Sequence, residues 1–583
     1  MSDQEARARA AAEQWLAVDF DPQTRNVMSR LLQTAEWETI LQLSHPRVAF
    51  STAGLRAKMH AGFAGLNSVT VAQTSEGLAR KLKSCCDENS SVMIGYDGRH
   101  NSRLFASVAA VVFSSHGFHV HTFPEPVPTP IVSFGVRHLG CALGVVLTAS
   151  HNPKEYNGYK VYGRNGAQII PPFDSEVAGE ILRLAGSWRF SGDLSSIDLM
   201  SIPRVIDVSP IMDAYVLAVA RDFQWTKLRL QLPVVYTALH GVGSKLVRRV
   251  TQATGLPAFI HVPEQDEPDP EFSTTKFPNP EEGTGTLSLA YRTAEASGAC
   301  YVLANDPDAD RLAIAERLDG HWRLFTGNEL AVLLTQWIID HDKGLSLDAS
   351  KRVFISSTVS SKAVEAMALA NGYQYYETLT GFKWMGNLAD RLLKEGTTLA
   401  LAFEVELGFM MGLLSFDKDG IRIIPTLMEM LYSYHEQGVT LASALTKLYT
   451  RYGFFDCLAG YVICDLPGKM LSCFNAIRHP YPNEILGSAV RVRDLTMGFD
   501  STTQDNVPLL PVSRDTQMIT FTLKTGDRIT LRGSGTEPKL KYYLEVKRAT
   551  AESARSSLVE LRQYIFEHFL CPERYGFTLP EVV

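Results

Sequence analysis

The sequence predicts an α/β fold of several domains: three related mixed α/β domains, then a C-terminal α+β domain. Three observations predict it. The chain has 583 residues, too many for a single hydrophobic core. A strand–helix–strand rhythm recurs three times at similar size. Beyond about residue 465 that rhythm gives way to shorter strands and one long helix.

The elements follow in chain order. Residues 1–45 read as a helical extension, with Trp15, Leu16, Val18, Leu31 and Leu32 as its apolar face. In domain 1 (46–222), SVMIGYD reads as a strand ending in a polar loop. NSRLFASVAAVVFSSHG then reads as a helix with a Gly stop, and FHVHTF as the next strand. Domain 2 (223–345) repeats the pattern in LPVVYTALHG, GSKLVRRVTQATG and AFIHV. Domain 3 (346–456) repeats it in RVFISSTV, SSKAVEAMALANG and YQYYET. Each unit implies a largely parallel sheet. Domain 4 (457–583) carries the strands SAVRVRDL, MITFTL, RITLRG and KYYLEV and the helix AESARSSLVELRQYIFEHF. Two proline-bearing breaks punctuate the chain, a loop at 263–283 and DLPGKM near 465.

Apolar residues make up 45% and charged residues 20%, an ordinary globular composition. A net charge of −7, with no basic block, excludes a general nucleic-acid binder. An acidic chain can still bind an anion where basic residues converge. None of the eight cysteines forms a C-x-x-C pair, which argues against a zinc or thioredoxin-type site. Scattered thiols, and an N-terminus without an apolar signal core, point to a reducing, cytoplasmic setting. The apolar stretch 398–416 is long enough to span a bilayer. Glu404 and Glu406 at its centre argue instead for a buried strand running into a helix or turn, and against a membrane protein.

Four segments carry chemistry. In LGVVLTASHNPKEYNGYK, a β-rich run ends at Ala149-Ser150-His151-Asn152-Pro153. A turn there can hold the Ser150 hydroxyl exposed, although Ser, His and Asn alone mark only a turn, and G-x-S-x-G is absent. In YVLANDPDADRLAIA, Asp306, Asp308 and Asp310 lie between two strands, beside Arg311. Alternate carboxylates offer hard oxygens to a divalent cation. An EF-hand fails, because its sixth and twelfth positions would be Arg311 and Arg317. In ITLRGSGTEPKLKYYLE, Arg532 precedes a small-residue loop, Gly533-Ser534-Gly535-Thr536, able to form an anion nest. It is not a Walker A loop. Last, ETLTGFKWMGN offers Thr380, Gly381 and Lys383, and the Glu404/Glu406 pair offers acceptors for sugar hydroxyls.

Together TASHNP, DPDADR, an acid-bearing loop and RGSGTEPK, in this order and one per domain, resemble the α-D-phosphohexomutase superfamily. AFSTAGLRAKM (49–59), YDGRHNSRLFA and TGNELAVLL resemble its branch of phosphopentomutase/phosphoglucomutase enzymes and glucose-1,6-bisphosphate synthases. The resemblance implies four domains around a central cleft. It implies a phosphoserine at Ser150, and Mg²⁺ held by Asp306, Asp308, Asp310 and the Ser150 phosphate. Arg56, His151 and Arg311 would flank the reaction, and Lys160 would be a general acid/base whose pKa a cation-rich cleft lowers. Thr380, Gly381, Lys383, Glu404 and Glu406 would face the sugar. Arg532, Ser534, Gly535 and Thr536 would hold the non-reacting phosphate. One departure stands out: the superfamily's Gly-Glu-x-Ser is Phe403-Glu404-Val405-Glu406 here.

The implied function is a phosphosugar mutase. Phosphate would move between C1 and C6 of glucose, or C1 and C5 of ribose or deoxyribose, through phospho-Ser150. A sugar 1,6-bisphosphate, or ribose 1,5-bisphosphate, would be the primer. Two alternatives stay open: a glucose-1,6-bisphosphate synthase using an external phosphoryl donor, and a non-catalytic phosphosugar-binding scaffold. The expected partners are small phosphosugars, and the expected state is a monomer or weak homodimer.

Overall fold

A computed structural model describes residues 2–49, 54–86, 90–184, 197–223, 232–464, 467–514, 516–534 and 538–579. The chain divides into two compact units. The first comprises Met1–Leu330, Lys351–Ile355 and Gly381–Gly438; the second comprises Ala331–Ser350, Ser356–Thr380 and Val439–Val583.

The first unit begins with three helices, Asp3–Val18, Pro22–Gln33 and Trp37–Ser44. Trp15, Met28, Leu31 and Ile40 are buried against Phe63 and Val69. The Trp15 and Phe63 rings meet edge-on at 5.0 Å. These helices are therefore packed onto the first α/β domain.

That domain holds a six-stranded sheet. Ser91–Tyr96 runs parallel to His119–Thr122 and Leu143–Leu147. Tyr156–Gly163 folds back antiparallel to Leu143–Leu147, with Lys160 opposite Val146. The sheet is thus mixed where the rhythm alone implied mostly parallel pairing. The return strand carries Lys160 back beside the loop that holds Ser150.

A five-stranded sheet follows, parallel through Ile260–His261, Val234–Thr237 and Tyr301–Asn305. Tyr301–Asn305 then pairs antiparallel with Leu312–Leu318, with Asn305 opposite Leu312. Residues 306–311 are therefore the connection of a hairpin, and alternate acids in it can converge. A second hairpin pairs Thr398–Glu404 with Gly408–Met410, with Glu404 opposite Gly408. Leu399, Ala402 and Met410 bury its core face with Val353 and Ile355. The stretch 398–416 is thus strand, turn and strand, and no helix of the described residues is long and apolar enough to cross a membrane.

In the second unit, Phe454–Ile463 pairs along its whole length with Lys539–Arg548. This strand starts three residues ahead of the boundary expected at 457. The sheet continues through Arg528–Gly533, Met518–Leu523 and Ser488–Asp494. One face buries Val492, Ile519, Phe521, Ile529 and Leu531 with Leu558 and Leu561 of the helix Ala551–Ile565. Side chains alternate along a strand, so Arg491, Arg493, Thr520, Thr522, Arg528 and Arg532 fall on the opposite face.

Candidate active site

Ser150 follows Leu143–Leu147 at a tight turn with a left-handed backbone, φ 55°. A non-glycine residue there carries strain of about 1 kcal/mol and needs support from its surroundings. Thr148 Oγ1 accepts the Ser150 amide at 2.8 Å. The Arg99 guanidinium donates to the carbonyls of Ser150, Asn152 and Pro153, and it is itself paired with Asp97 at 3.2 Å. The Ser150 side chain is only 2% exposed, where the sequence implied an exposed hydroxyl. The turn folds it inward, so that Oγ donates to Asp306 Oδ2 at 2.6 Å.

Asp306, Asp308 and Asp310 are fully buried, and each presents an oxygen within 4.8 Å of the others. Asp308 Oδ2 accepts from Thr129 Oγ1 and Lys160 Nζ, both at 2.7 Å. Asp310 Oδ2 accepts from Lys160 at 2.7 Å and pairs with Lys418 at 3.2 Å. Asp308 Oδ1 and Asp310 Oδ1 are buried and accept no hydrogen bond. Orphaned carboxylate oxygens of this kind are costly unless a cation completes them. The donor set, hard oxygens only, fits a divalent metal such as Mg²⁺.

Burial, then the neighbouring aspartates, push Asp306 well above the usual carboxylate range. Burial is the largest influence on Asp308 and Asp310 too, but Lys160 and Thr129 together at Asp308, and Lys160, Lys418 and Arg311 together at Asp310, leave the net shift downward. Burial opposes the charge on Lys160 too, yet Asp308 and Asp310 win and raise its pKa. The surroundings of Lys160 are therefore anion-rich, contrary to the expectation that its pKa would fall.

Cations flank the serine. Arg56 donates to Asn152 Oδ1 at 2.7 Å, and burial, with repulsion from Arg311, brings its pKa down to about 10. Arg311 Nε lies 3.9 Å from Asp306 and 4.0 Å from Asp310, and Nη1 donates to Glu281 at 3.4 Å. His151 Nδ1 is 3.2 Å from Ser150 Oγ. Burial and then the nearby arginines hold His151 well below its usual pKa, as a neutral imidazole. The structure therefore brings Ser150, His151, Arg56, Lys160, Arg311 and the three aspartates together. It adds Arg99, Thr129, Glu281 and Lys418, none of which the sequence offered as a site candidate.

The sugar-loop candidates divide. Glu404 Oε1 accepts the Gly381 amide at 2.5 Å, where Gly381 (φ 107°) caps the helix Phe382–Lys394. Glu406 lies in the turn of the hairpin, and its charge reaches Glu404, Arg311 and Glu281. Lys383 turns to Asp174 at 3.6 Å, and burial lowers its pKa. Thr380 is half-buried, directly before Gly381. In the second unit, Arg532 is half-buried at the end of Arg528–Gly533, and the Ser534 amide bonds the Lys539 carbonyl at 2.9 Å. Gly535 and Thr536 lie outside the described residues.

Burial and the Glu406 charge raise Glu404 from 4.5 to about 7. The folded chain thus keeps a proton that the unfolded chain has released. Stability contributed at this site falls as pH rises from about 4.5 to about 7, by at most roughly 3 kcal/mol. Glu404→Gln keeps an acceptor for Gly381 and removes the charge. Its melting temperature is expected to gain on the wild type between pH 5 and pH 8; a constant gap across that range would show that Glu404 titrates normally.

Comparison with known proteins converges on one family. Residues 47–185, 213–320 and 326–452 match phosphoglucomutase/phosphomannomutase α/β/α domains I, II and III. The chain is 38% identical to a probable phosphoribomutase of Schizosaccharomyces pombe, covering 97% of this chain and 98% of the relative. It is equally identical to a human phosphopentomutase (98% and 97% covered) and to a human glucose 1,6-bisphosphate synthase (97% and 95%). The fold matches that of the Paramecium phosphoglucomutase parafusin in its open form, with TM-score 0.66 and 18% identity over 92% of this chain and 98% of that one. The chain accordingly belongs to the phosphoglucomutase/phosphomannomutase family, the phosphosugar mutases of the α-D-phosphohexomutase superfamily.

Proposed function

We propose that Ser150 carries the phosphoryl group, and that the enzyme interconverts 1-phosphates and 5-phosphates of pentoses while also accepting glucose phosphates. The observation that carries this reading is the Ser150 hydroxyl, bonded at 2.6 Å to an aspartate of a buried three-carboxylate cluster. Asp306, Asp308 and Asp310 would hold Mg²⁺, which when bound supplies positive charge to phosphoryl oxygens.

The other roles belong to this chain's own residues. Arg56 and Arg311 add fixed positive charge where charge develops during transfer. A sugar hydroxyl attacks phosphorus, the bond from phosphorus to Ser150 Oγ breaks, and Oγ is left to take a proton. Lys160, kept charged by Asp308 and Asp310, would give its proton to the departing Oγ and take up the proton of the attacking hydroxyl. The resulting sugar bisphosphate turns end for end and returns its other phosphate to Ser150; an added sugar bisphosphate primes the first cycle. Arg532, Ser534, Gly535 and Thr536 hold whichever phosphate is not reacting. Glu404 binds a sugar hydroxyl. The eight scattered cysteines suit a reducing cytoplasm.

Glu406 bears on the choice of sugar. It is longer than the serine usual at that position and accepts hydrogen bonds only when ionised, so it favours the smaller furanose. Coupled rates on ribose 1-phosphate and glucose 1-phosphate, each with and without bisphosphate primer, test the proposal. Turnover of both is expected to depend on primer. Glu406→Ser is expected to move the kcat/KM ratio about tenfold towards glucose 1-phosphate, the value of one hydrogen bond. An unchanged ratio would take Glu406 out of sugar selection. Build-up of bisphosphate from an external donor such as 1,3-bisphosphoglycerate, without isomerisation, would favour the synthase reading that one set of relatives suggests.

A further inference from the structure

We propose that the second unit contains a separate binding site for a small phosphate-bearing ligand, on the sheet face that carries Arg491, Arg493 and Arg528. A cavity of about 310 Å³ opens there, lined also by Lys362, Glu377 and Thr522. The Cα register sets Arg491 opposite Thr522, and Thr522 opposite Arg528. Three strands therefore deliver these side chains to one row.

The charges do not close among themselves. The lining holds four cationic side chains against three carboxylates, Glu365, Glu377 and Asp500. Glu377 alone meets three of the cations: Arg493 at 2.6 Å, Arg528 at 3.4 Å, and Lys362. Burial would raise Glu377, but Lys362, Arg528 and Arg493 outweigh it and hold the carboxyl well below its usual range. Glu365 is taken by Lys362 at 2.9 Å. Asp500 Oδ1 is taken by the hydroxyl and amide of Thr502 at 2.6 and 2.9 Å.

Donors are left over. Arg493 Nε and Nη2 are buried without a hydrogen-bond partner, the 2.6 Å contact to Glu377 lying off the hydrogen-bonding direction. Exposed Arg491 makes no ion pair among the described residues. Arg491, in no ion pair among the described residues, and Arg493, whose Nε and Nη2 make no hydrogen bond, beside a surplus positive charge are chemically suited to a phosphate dianion. The Thr522 hydroxyl, and the remaining volume, leave room for a small polar body attached to it.

The site is distinct from the loop at 532–536. Arg528 and Arg532 share a strand face four residues apart, about 13 Å at 3.3 Å per residue, beyond the span of a single phosphate. Calorimetric titration of the full chain with inorganic phosphate, and separately with ribose 5-phosphate, in low salt and chelator, tests the proposal. One class of binding is expected to weaken about tenfold in Arg491→Gln and in Arg493→Gln, and to persist in Arg532→Ala. Arg491 is exposed and unpaired, so its variant folds even if Arg493→Gln does not. Equal affinity for the two ligands means that the pocket reads phosphate alone; tighter ribose 5-phosphate means that it reads the sugar too. Binding untouched by Arg491→Gln, or lost in Arg532→Ala, overturns the assignment. Mutase turnover is not measured, so the outcome is independent of the roles proposed for Ser150 and the aspartates.

Discussion

Ser150→Ala is expected to take up no phosphoryl group from a sugar bisphosphate and to lose turnover by at least about 10⁴-fold, the scale on which nucleophile removal acts. Intact mass after incubation with glucose 1,6-bisphosphate reads the first effect, and a coupled assay reads the second. The turn complicates the control. Ser150 has φ 55°, so alanine keeps the strain while glycine relieves it. Ser150→Gly should therefore be equally inactive yet more stable than Ser150→Ala. If either variant kept a tenth of wild-type activity, the carrier would lie elsewhere.

Asp308→Asn is expected to lower activity by about two to three orders of magnitude, equivalent to roughly 3–4 kcal/mol of lost charge stabilisation. It should also raise the Mg²⁺ concentration needed for half-maximal rate. The substitution keeps shape and leaves Lys160 its bond to Asp310 at 2.7 Å, so the fold should survive. Chelator should silence the wild type, and added Mg²⁺ should restore it. Undiminished activity in excess chelator would remove the metal from the mechanism.

Much of the candidate site was legible because its residues are contiguous in sequence. TASHNP and DPDADR each occupy one turn; the aspartates read as cation ligands on their own, whereas Ser150 marked only a turn until the resemblance to the superfamily gave it a role. What escaped notice depends on packing. Lys418 sits in an unremarkable FDKDG and reaches Asp310 only through the folding of the third α/β segment. Arg99 lies in YDGRHNSRLFA with nothing in the sequence to single it out, yet its guanidinium is buried and donates to the Ser150 carbonyl. Glu281 falls in a stretch whose prolines signal a break, and that same irregular backbone delivers a carboxylate to Arg311. The sign of the Lys160 shift was also out of reach, since it depends on which charges meet the side chain in space. At the chain level, the three strand–helix–strand repeats were legible from periodicity. The strand Phe454–Ile463 was not, because most of its length is only half-buried and it lacks the clean alternation that marks an edge of a core.

The metal loop and the sugar hairpin are stitched together through the backbone. The Leu312 amide bonds the Leu407 carbonyl, Arg311 bridges Gly408, and Gly420 rests on the Arg311 carbonyl, where no side chain would fit. Gly327 in turn lies against the carbonyl of Val405. Glu404 and Asp310 are thereby marks on one ruler, their separation set by backbone contacts rather than by side chains. On the roles proposed for these two loops, the phosphate and the gripped hydroxyl would be held at one separation, a measure that is the same in both directions of the reaction.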